Sequence, residues 1–492
     1  MTQTNESATA APDAGQNAAA SASALAAHLL NILQGPDVDR PEVWDFVVGL
    51  GEQAALLLPE FETMRQHPIF WQAHLLHAIA LATLRRFEEA ETVLSLQLTG
   101  HSQSPLANGA MFKVKQLQNP DDPKFALQNF ICETPFRQLD VLDSSSHQCC
   151  ASWLPISAGN LYTETWQNVW NSSSAQNVRR SIHDGSYRYC NKMACPRIMA
   201  GTLTPKQEMK ESGDDWWKDI VTNQRTALDR GPLVVNLAYD RTCNLSCPSC
   251  RQSVIFQNRE QRDRTEAMQD RNIMPMLEGA ENVMVTGSGD PFSSPMFRKL
   301  LKAFDPAKYP KLKINLMTNG MLLTEQCWKE YTHLAGHIAK LKFSLDGATA
   351  PTHELLRRGS RWERVYENLK FCGRLLKEGA LDSFEIVFVV QVENYREMGQ
   401  FVDLGHDVGA DSIYFARITN WGTFTAAEYA RKAVFMPTHP EYAEFIRVMQ
   451  DPRLLDPAVI LGDLAPFVQA VPMQHDMAHL AAATATEPVL SF

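Results

Sequence analysis

From residue 233 onward the chain repeats one pattern, an apolar β-rich run followed by a helix-like segment, and that repetition leaves few folds open. The runs are "LVVNLAY", "NVMVTG", "KINLMT", "KLKFSL", "FEIVFVV" and "DSIYFARI". Helix-like stretches separate most of them, such as "SPMFRKLLKAF", in which Ser294 suits an N-cap and Pro295 the first helical position. Strands joined by helical crossovers form right-handed βαβ units and a parallel sheet. Six strands are too few for an eight-stranded barrel. The expectation is an α/β fold, a partial (β/α)6 TIM-like barrel over residues 231–425, with a flat doubly wound sheet as the alternative. Either architecture gathers its chemistry at the C-terminal strand ends.

The loop after the first of these strands, "DRTCNLSCPSCRQS", carries Cys243, Cys247 and Cys250. A structural zinc site wants four protein ligands, so three thiolates leave it incomplete unless a cysteine from elsewhere joins them. A four-iron cluster on three cysteines instead keeps one iron open to a ligand that is not protein. The whole chain has 10 cysteines, too few for a disulfide scaffold in 492 residues. Eight of them fall within residues 132–195 and 243–250, a clustering that suggests metal. Cys327 and Cys372 stand apart in helix-like stretches and read as small apolar residues.

Cys-x3-Cys-x2-Cys after the first strand of a βα series resembles the signature of the radical S-adenosylmethionine (radical SAM) enzymes, and further segments agree in order. "TGSGDPF" resembles the family's Gly-Gly-Glu-Pro element through Ser288, Gly289, Asp290 and Pro291. "MTNG" with Asn319, "FSLDG" with Ser344 and Asp346, and "HELLRRGS" with Arg357 also match. The resemblance covers about residues 233–420. It implies a [4Fe-4S] cluster on Cys243, Cys247 and Cys250, S-adenosylmethionine on the open iron, and an electron donor such as flavodoxin or ferredoxin. It further implies that Ser288, Gly289, Asp290 and Asn319 bind the cosubstrate, that Ser344 and Asp346 meet ribose hydroxyls, and that Arg357 faces the methionine carboxylate. The aromatic residue common before the family's last cysteine is Ser249 here, which leaves adenine packing to a residue such as Tyr239 or Phe256.

The other cysteine territory holds Cys132, Cys149, Cys150, Cys190 and Cys195, with a Gly-Asn and a Trp-x-x-x-Trp-Asn between them. It resembles the auxiliary-cluster module called SPASM, or its shorter twitch form, although it precedes the radical domain and lacks the hairpin glycine in "LDSSSHQ". The resemblance implies an auxiliary iron–sulfur cluster on Cys132, Cys149, Cys190 and Cys195, with Cys150 the alternative to Cys149. A zinc site on the same residues is the competing reading. Trp166 and Trp170, four apart on a helix, are expected to pack the small core of this module.

The expected organisation is a disordered tail over 1–22, an α-helical domain over 23–110, the cysteine module over 125–200, a linker over 201–230, the barrel over 231–425 and a C-terminal extension over 426–492. The tail is Ala, Ser, Gln and Asn without periodicity. Within the helical domain, "WQAHLLHAIALATLRRFEEAETVL" resembles one tetratricopeptide (TPR) hairpin, with Ala78, Ala82 and Ala90 small enough for helices to approach. A net charge of -10 gives no broad basic surface for nucleic acid. With neither a signal-like segment nor a long apolar run, a cytoplasmic protein without membrane partners is expected. The expected activity is radical modification of a substrate, with a ribosomally made precursor peptide first and a small metabolite or sugar second. Arg417, Asn420 and Trp421, at the exit of the sixth strand, are the candidate substrate contacts. A helical adaptor with structural zinc and a catalytically dead barrel is the reading from another class.

Overall fold

The computed structural model describes residues 21–25, 71–100, 105–286 and 288–468. Most of the expected tail, the helices expected within 26–70, Gly287 and the end of the expected C-terminal extension lie outside the described residues. The chain divides into two compact units. No described helix is long and apolar enough to cross a membrane.

The first unit takes residues up to 136, 147–158 and 171–228. Its N-terminal part packs helices α1 (Trp71–Thr83), α2 (Phe87–Gly100) and α3 (Pro105–Gln118) around Leu75, Ile79, Val93, Leu94 and Val114. Ala78, Ala82 and Ala90 are buried there, where a larger side chain would hold the helices apart. Residues 21–25, partly assigned to a tail, are helical, and Ala22 is buried in the same core.

Helix α4 (Ser173–His183) begins where Ser172 Oγ accepts from Ala175 N. It buries Arg179 completely. That guanidinium is satisfied by the carbonyls of Pro135 and Thr226 at 2.9 and 2.8 Å and by Asn171 Oδ1 at 3.2 Å, so one cation ties three segments together. The stretch 201–230 is not a plain linker. It forms α5 (Lys206–Glu211) and α6 (Asp215–Thr222), which buries Trp217, Ile220 and Val221, with Trp217 edge-on to Phe136 at 5.9 Å.

The second unit is built on a parallel sheet of β1 (Gln138–Leu142), β2 (Val234–Ala238), β3 (Asn282–Val285), β4 (Lys313–Thr318), β5 (Ile338–Ser344), β6 (Phe384–Val390), β7 (Ser412–Arg417) and β8 (Val459–Ile460). The strands lie in chain order, with Ser146–His147 at the outer edge beside β1. The six expected strands form its centre, and one further parallel strand flanks them on each side. β1 comes from the cysteine-rich segment and β8 from the expected extension, and each covers an edge that would otherwise expose unpaired backbone.

The two faces of the sheet differ in chemistry. Leu139, Val235, Val283 and Ile314 pair across one face, as do Leu341 with Phe384 and Ile386 with Ile413. Helices α7 (Pro295–Ala303), α8 (Trp362–Lys377) and α9 (Met398–Val408) belong to this unit. Phe401 of α9 meets Phe388 at 4.7 Å, and Gly405 lies so close to Ile413 that a Cβ would stand 2.5 Å from its Cδ1. Across the opposite face Asp140, Asn236, Met284, Asn315 and Lys340 pair in one row, and Lys342, Glu385 and Ser412 continue it. Parallel sheets are commonly apolar on both faces, so this largely polar row, on the face away from α9, is a departure from the usual pattern. Trp166 and Trp170 fall in this unit rather than in a separate small core, and Trp170 Nε1 donates to Arg230 O at 2.8 Å beside the entry to β2.

Burial raises the carboxyl of Asp140 to about 7, despite hydrogen bonds from Gln138 and Asn236. Its unfolded value is near ~3.9. The folded chain therefore holds the proton more tightly, and this residue's contribution to stability falls as pH rises between those values, by about 1.4 kcal/mol per pH unit. In Asp140→Asn that slope should vanish. Urea unfolding of parent and variant between about pH 4 and about pH 7 measures it, and identical pH dependence in the two proteins would contradict the burial.

Candidate active site

The cysteine loop leaves the C-terminal end of β2 and is folded by its own backbone. Asp240 Oδ1 accepts from Thr242 N at 2.9 Å, and the other oxygen takes the hydroxyl of Ser294 at the start of α7. Cys243 N donates to Ile255 O at 3.0 Å, and the amides of Cys250 and Arg251 turn back onto Cys247 O at 2.9 and 3.0 Å. Cys243 and Cys247 are buried and Cys250 half-buried. Burial pushes the Cys243 thiol up to about 11, with the nearby Asp290 adding to it, and raises that of Cys247. Positive charge is needed to hold them as thiolates.

Two arginines supply part of it. Arg251 Nη2 donates to Cys250 Sγ at 3.2 Å, while its other contacts, to the carbonyls of Arg241 and Ser288, lie at 2.7 and 2.5 Å. Arg357 pairs with Asp346 at 2.8 Å and hydrogen-bonds the Cys247 thiol, and these neighbours hold its guanidinium charged against the cost of burial. Asn319 Nδ2 stands 3.7 Å from Cys243 Sγ and 3.0 Å from Asn244 Oδ1.

The loop after β3 passes directly beneath. A Cβ on Gly289 would stand 2.4 Å from Asp240 O and 2.7 Å from Thr242 O, so only glycine fits. Ser288 Oγ donates to Ala238 O at 2.7 Å. Asp290, expected to assist a ligand, clasps the strand ends. Its carboxylate accepts from Phe292 N, Ser293 N, Thr318 Oγ1 and Asn319 N at 3.0, 3.1, 2.8 and 2.9 Å, and its own amide donates to Thr242 O at 2.9 Å.

Asp346 and Arg357, expected to meet ribose and carboxylate groups, hold each other, and Asp346 Oδ1 also accepts from Val389 N at 2.9 Å. Asp346 lies at φ 57°, strained for a non-glycine residue, and that turn brings its carboxylate back toward β6. Ser344 ends β5 on the same face as Lys342. Burial lowers His353 to about 4, so it is a neutral imidazole bridging Leu345 O and Ser360 Oγ at 2.8 and 2.7 Å. Arg357 Nε and Thr242 Oγ1 are buried without a partner. Two orphaned polar atoms, three thiols of one loop and a glycine cradle fit a thiolate-bound cluster with a polar ligand on it. Among the described residues no group of three acidic, cysteine or histidine side chains is gathered as one ion requires. A four-iron cluster distributes its thiolates over separate irons and does not need that convergence.

In the first unit Cys132 is close enough to Cys190 and Cys195 to raise their thiols. Burial, then Cys195 and Cys132, lifts Cys190 well above its usual value, and burial with Cys132 brings Cys195 to about 11. Asn191, fully buried, ties the Cys149–Cys150 turn to this group by donating to Ser152 O and Trp153 O at 2.7 Å each. Cys150 is buried and Cys149 half-buried.

Tyr239 is enclosed in the core, where its hydroxyl accepts from Gln269 at 2.7 Å and its ring packs on Phe297, so it does not face a ligand; Phe256 is exposed. Arg417 shares the outward face of Ile413 and Phe415 and pairs with Asp463 at 2.7 Å. Asn420 closes its own loop through Phe424 O at 2.9 Å, and Trp421 is exposed. Sequence reasoning missed Arg251 and Asn191, each adjacent to a cysteine. It also missed Lys340, Lys342 and Glu385 of the polar row, although charges at alternate positions of a buried parallel strand, as in "KLKFSL", were the signal.

Asp290→Ala should orphan four donors, destabilise the chain by roughly 2–4 kcal/mol and reduce the iron retained after anaerobic reconstitution. Urea unfolding and iron per chain measure both. Parent-like values in both assays would show that the clasp does not organise the loop.

No curated protein matches the chain. Among solved structures it is similar to Streptococcus suis SuiB, at 16% identity and a TM-score of 0.31 over 44% of this chain and 45% of that one. The same protein bound to its precursor peptide SuiA matches at 15% identity, TM-score 0.30, over 53% and 56%. Histidine-tagged anSMEcpe with bound AdoMet matches at 20% identity and a TM-score of 0.33 over 44% and 58%. The chain thus spans about half the length of these structures. The model of the Radical SAM superfamily matches residues 240–405, from Asp240 before the cysteine loop to Gly405 in α9. Those residues are a radical SAM domain.

Proposed function

We propose that the chain is a radical SAM enzyme that abstracts hydrogen from a precursor peptide and uses an auxiliary iron–sulfur cluster to complete the modification. The observation that carries the reading is the cysteine loop of the radical SAM domain, with two guanidinium groups against its thiols and two buried polar atoms awaiting a partner. Cys243, Cys247 and Cys250 would hold a [4Fe-4S] cluster with S-adenosylmethionine on its open iron, and the group would supply, with an electron from an external donor, reductive cleavage of the sulfonium and hence hydrogen abstraction from the substrate.

The residues around the loop act as holders and screens. Cys243, Cys247 and Cys250 bind as thiolates, and Arg251 and Arg357 offset their charge in a buried setting. Gly289 lets backbone reach the space under the loop, and Asp290 keeps the strand ends in register. Ser288, Asn319 and Ser344 line the approach of the cosubstrate. Asp346 orients Arg357, whose free Nε is available to a carboxylate. Arg417, Asn420 and Trp421 lie on the exit of β7, where Trp421 is the exposed group that a peptide could cover. An electron donor of the flavodoxin or ferredoxin class is required.

Cys132, Cys190 and Cys195, with Cys149 as fourth thiolate, would hold the auxiliary cluster in a module of SPASM or twitch kind, and the helices α1–α3 would dock the leader of the peptide. Four protein ligands suit electron transfer, which a one-electron-oxidised substrate needs. The chemistry of the donor set also suits zinc, and metal analysis separates the two.

Replacing Cys243, Cys247 and Cys250 together with Ala should abolish 5'-deoxyadenosine formation while leaving the far-ultraviolet circular dichroism largely unchanged. Undiminished formation by the anaerobically reconstituted variant would sink the radical assignment.

With Cys190 and Cys195 both changed to Ala, iron should fall by about one four-iron cluster, while cleavage of S-adenosylmethionine without substrate persists. Iron equal to the parent's, or zinc in place of iron in the parent, would mean that these cysteines carry no such cluster.

A further inference from the structure

Arg251 follows the last cysteine of the loop and is only 6% exposed. Its Nε and Nη2 both donate to Cys250 Sγ, at 3.4 and 3.2 Å, so one edge of the guanidinium meets a single sulfur. Nη1 donates to Arg241 O at 2.7 Å and Nη2 also reaches Ser288 O at 2.5 Å. One of these carbonyls precedes the cysteines and the other lies in the loop after β3, and together they fix the fork in place. Cys243 and Cys247 also lie within its electrostatic reach.

Arg357 makes the contrast. That guanidinium is answered by the Asp346 carboxylate at 2.8 Å as well as by Cys247. Among the described residues the contacts of Arg251 are two carbonyls and a thiol, with no carboxylate. A buried cation without a counter-charge is expensive to keep, so the anion this arginine is placed to meet is a thiolate at Cys250. A neutral amide side chain could hold two carbonyls as well, so folding of the loop alone does not call for a guanidinium.

We propose that Arg251 is a positioning residue that, through Cys250, sets the reduction potential of the four-iron group on this loop. The inference rests on the radical reading of the loop and deepens it. Three thiolates already place negative charge there, and a further electron adds to it in a buried setting where water screens little. A fixed positive charge with two N–H donors on one sulfur favours the reduced form, so Arg251 raises the potential. The step concerned is a single electron transfer. One electron leaves an external donor of the flavodoxin or ferredoxin class, which is oxidised, and enters the four-iron group, with no bond made or broken and no proton moved.

Arg358 supplies a control within the same loop. It is exposed and donates to Ser246 Oγ at 3.1 Å and Gln252 O at 3.0 Å, without a contact to sulfur.

The test is a potentiometric titration of the full chain with its clusters reconstituted, poised with dithionite and mediators and read by electron paramagnetic resonance. The component followed is the one absent when Cys243, Cys247 and Cys250 are all Ala. In Arg251→Met its midpoint should move to more negative potential, with iron per chain equal to the parent's. The ratio of reduced to oxidised group at a fixed poise should fall about tenfold, equivalent to ~59 mV for one electron. Arg251→Lys, which keeps the charge without the fork, should recover part of the shift, and Arg358→Met should match the parent. If Arg251→Met takes up no iron, Arg251→Gln replaces it with the same direction expected. A parent-like midpoint in the variant that assembles, no recovery by Arg251→Lys, or an equal shift in Arg358→Met would overturn the proposal. Loss of iron by both Arg251→Met and Arg251→Gln would also overturn it, because Arg251 would then be a tie for the loop and no more. A parent without any signal that depends on the three cysteines would overturn the radical reading as well, whereas an intact signal with an unmoved midpoint would overturn this inference alone.

Discussion

A thiolate taken out of water must be answered by positive charge, and the strand-end region of the second unit is arranged around that requirement. Burial alone drives the thiols of Cys243 and Cys247 upward, toward the neutral form. Arg357 can stand against Cys247 only because Asp346 anchors it, and Asp346 can reach it only from a left-handed backbone turn that Val389 N helps to fix. Arg251 is placed in the same way, between Cys250 and two backbone carbonyls. Asp290 then locks the loops after β3 and β4 to the cysteine loop. The charges, the strained turn and the glycine cradle form one dependent set, because removing a charge leaves a buried polar group unanswered and a side chain at Gly289 would collide with the carbonyls of the cysteine loop.

A second constraint comes from strand parity. Alternation sends Leu139, Val235, Val283, Ile314, Leu341, Phe384 and Ile386 to one face, while the other carries Asp140, Asn236, Asn315, Lys342 and Glu385 among apolar neighbours. A sheet built for stability alone would be apolar on both sides. Desolvating these groups is tolerable because most are paired along the row, and the raised carboxyl of Asp140 reports what that arrangement costs. Polarity on one face and apolar packing on the other are what a strand-lined binding cavity requires.

Much of this was legible in the residues. The six central strands follow from apolar runs between helix-like segments, and Ser294 caps its helix because a hydroxyl before Pro295 can accept from Phe297 N. The cysteine loop was legible because thiolate spacing is local. β1 was not, since "QLDVL" is a five-residue strand in a segment dominated by cysteines and its partner β2 lies almost a hundred residues away. β8 has two residues and no pattern of its own. The roles of Asp290, Asp346 and Arg357 were also beyond reach. Motif position marks them as site residues, yet only the fold shows that they hold one another and the loop. Arg417 illustrates the limit from the other side, because one step in strand parity decides whether a strand-end arginine faces a cavity or a neighbouring aspartate.

The most direct measurement is electron paramagnetic resonance of the anaerobically reconstituted, reduced protein, with and without S-adenosylmethionine. A cluster on Cys243, Cys247 and Cys250 with one iron open should give a reduced four-iron signal whose g-values shift when the cosubstrate binds, and the shifting component should be missing in the triple Ala variant. A reduced signal indifferent to S-adenosylmethionine, or a protein that takes up zinc and gives no signal, would contradict the account.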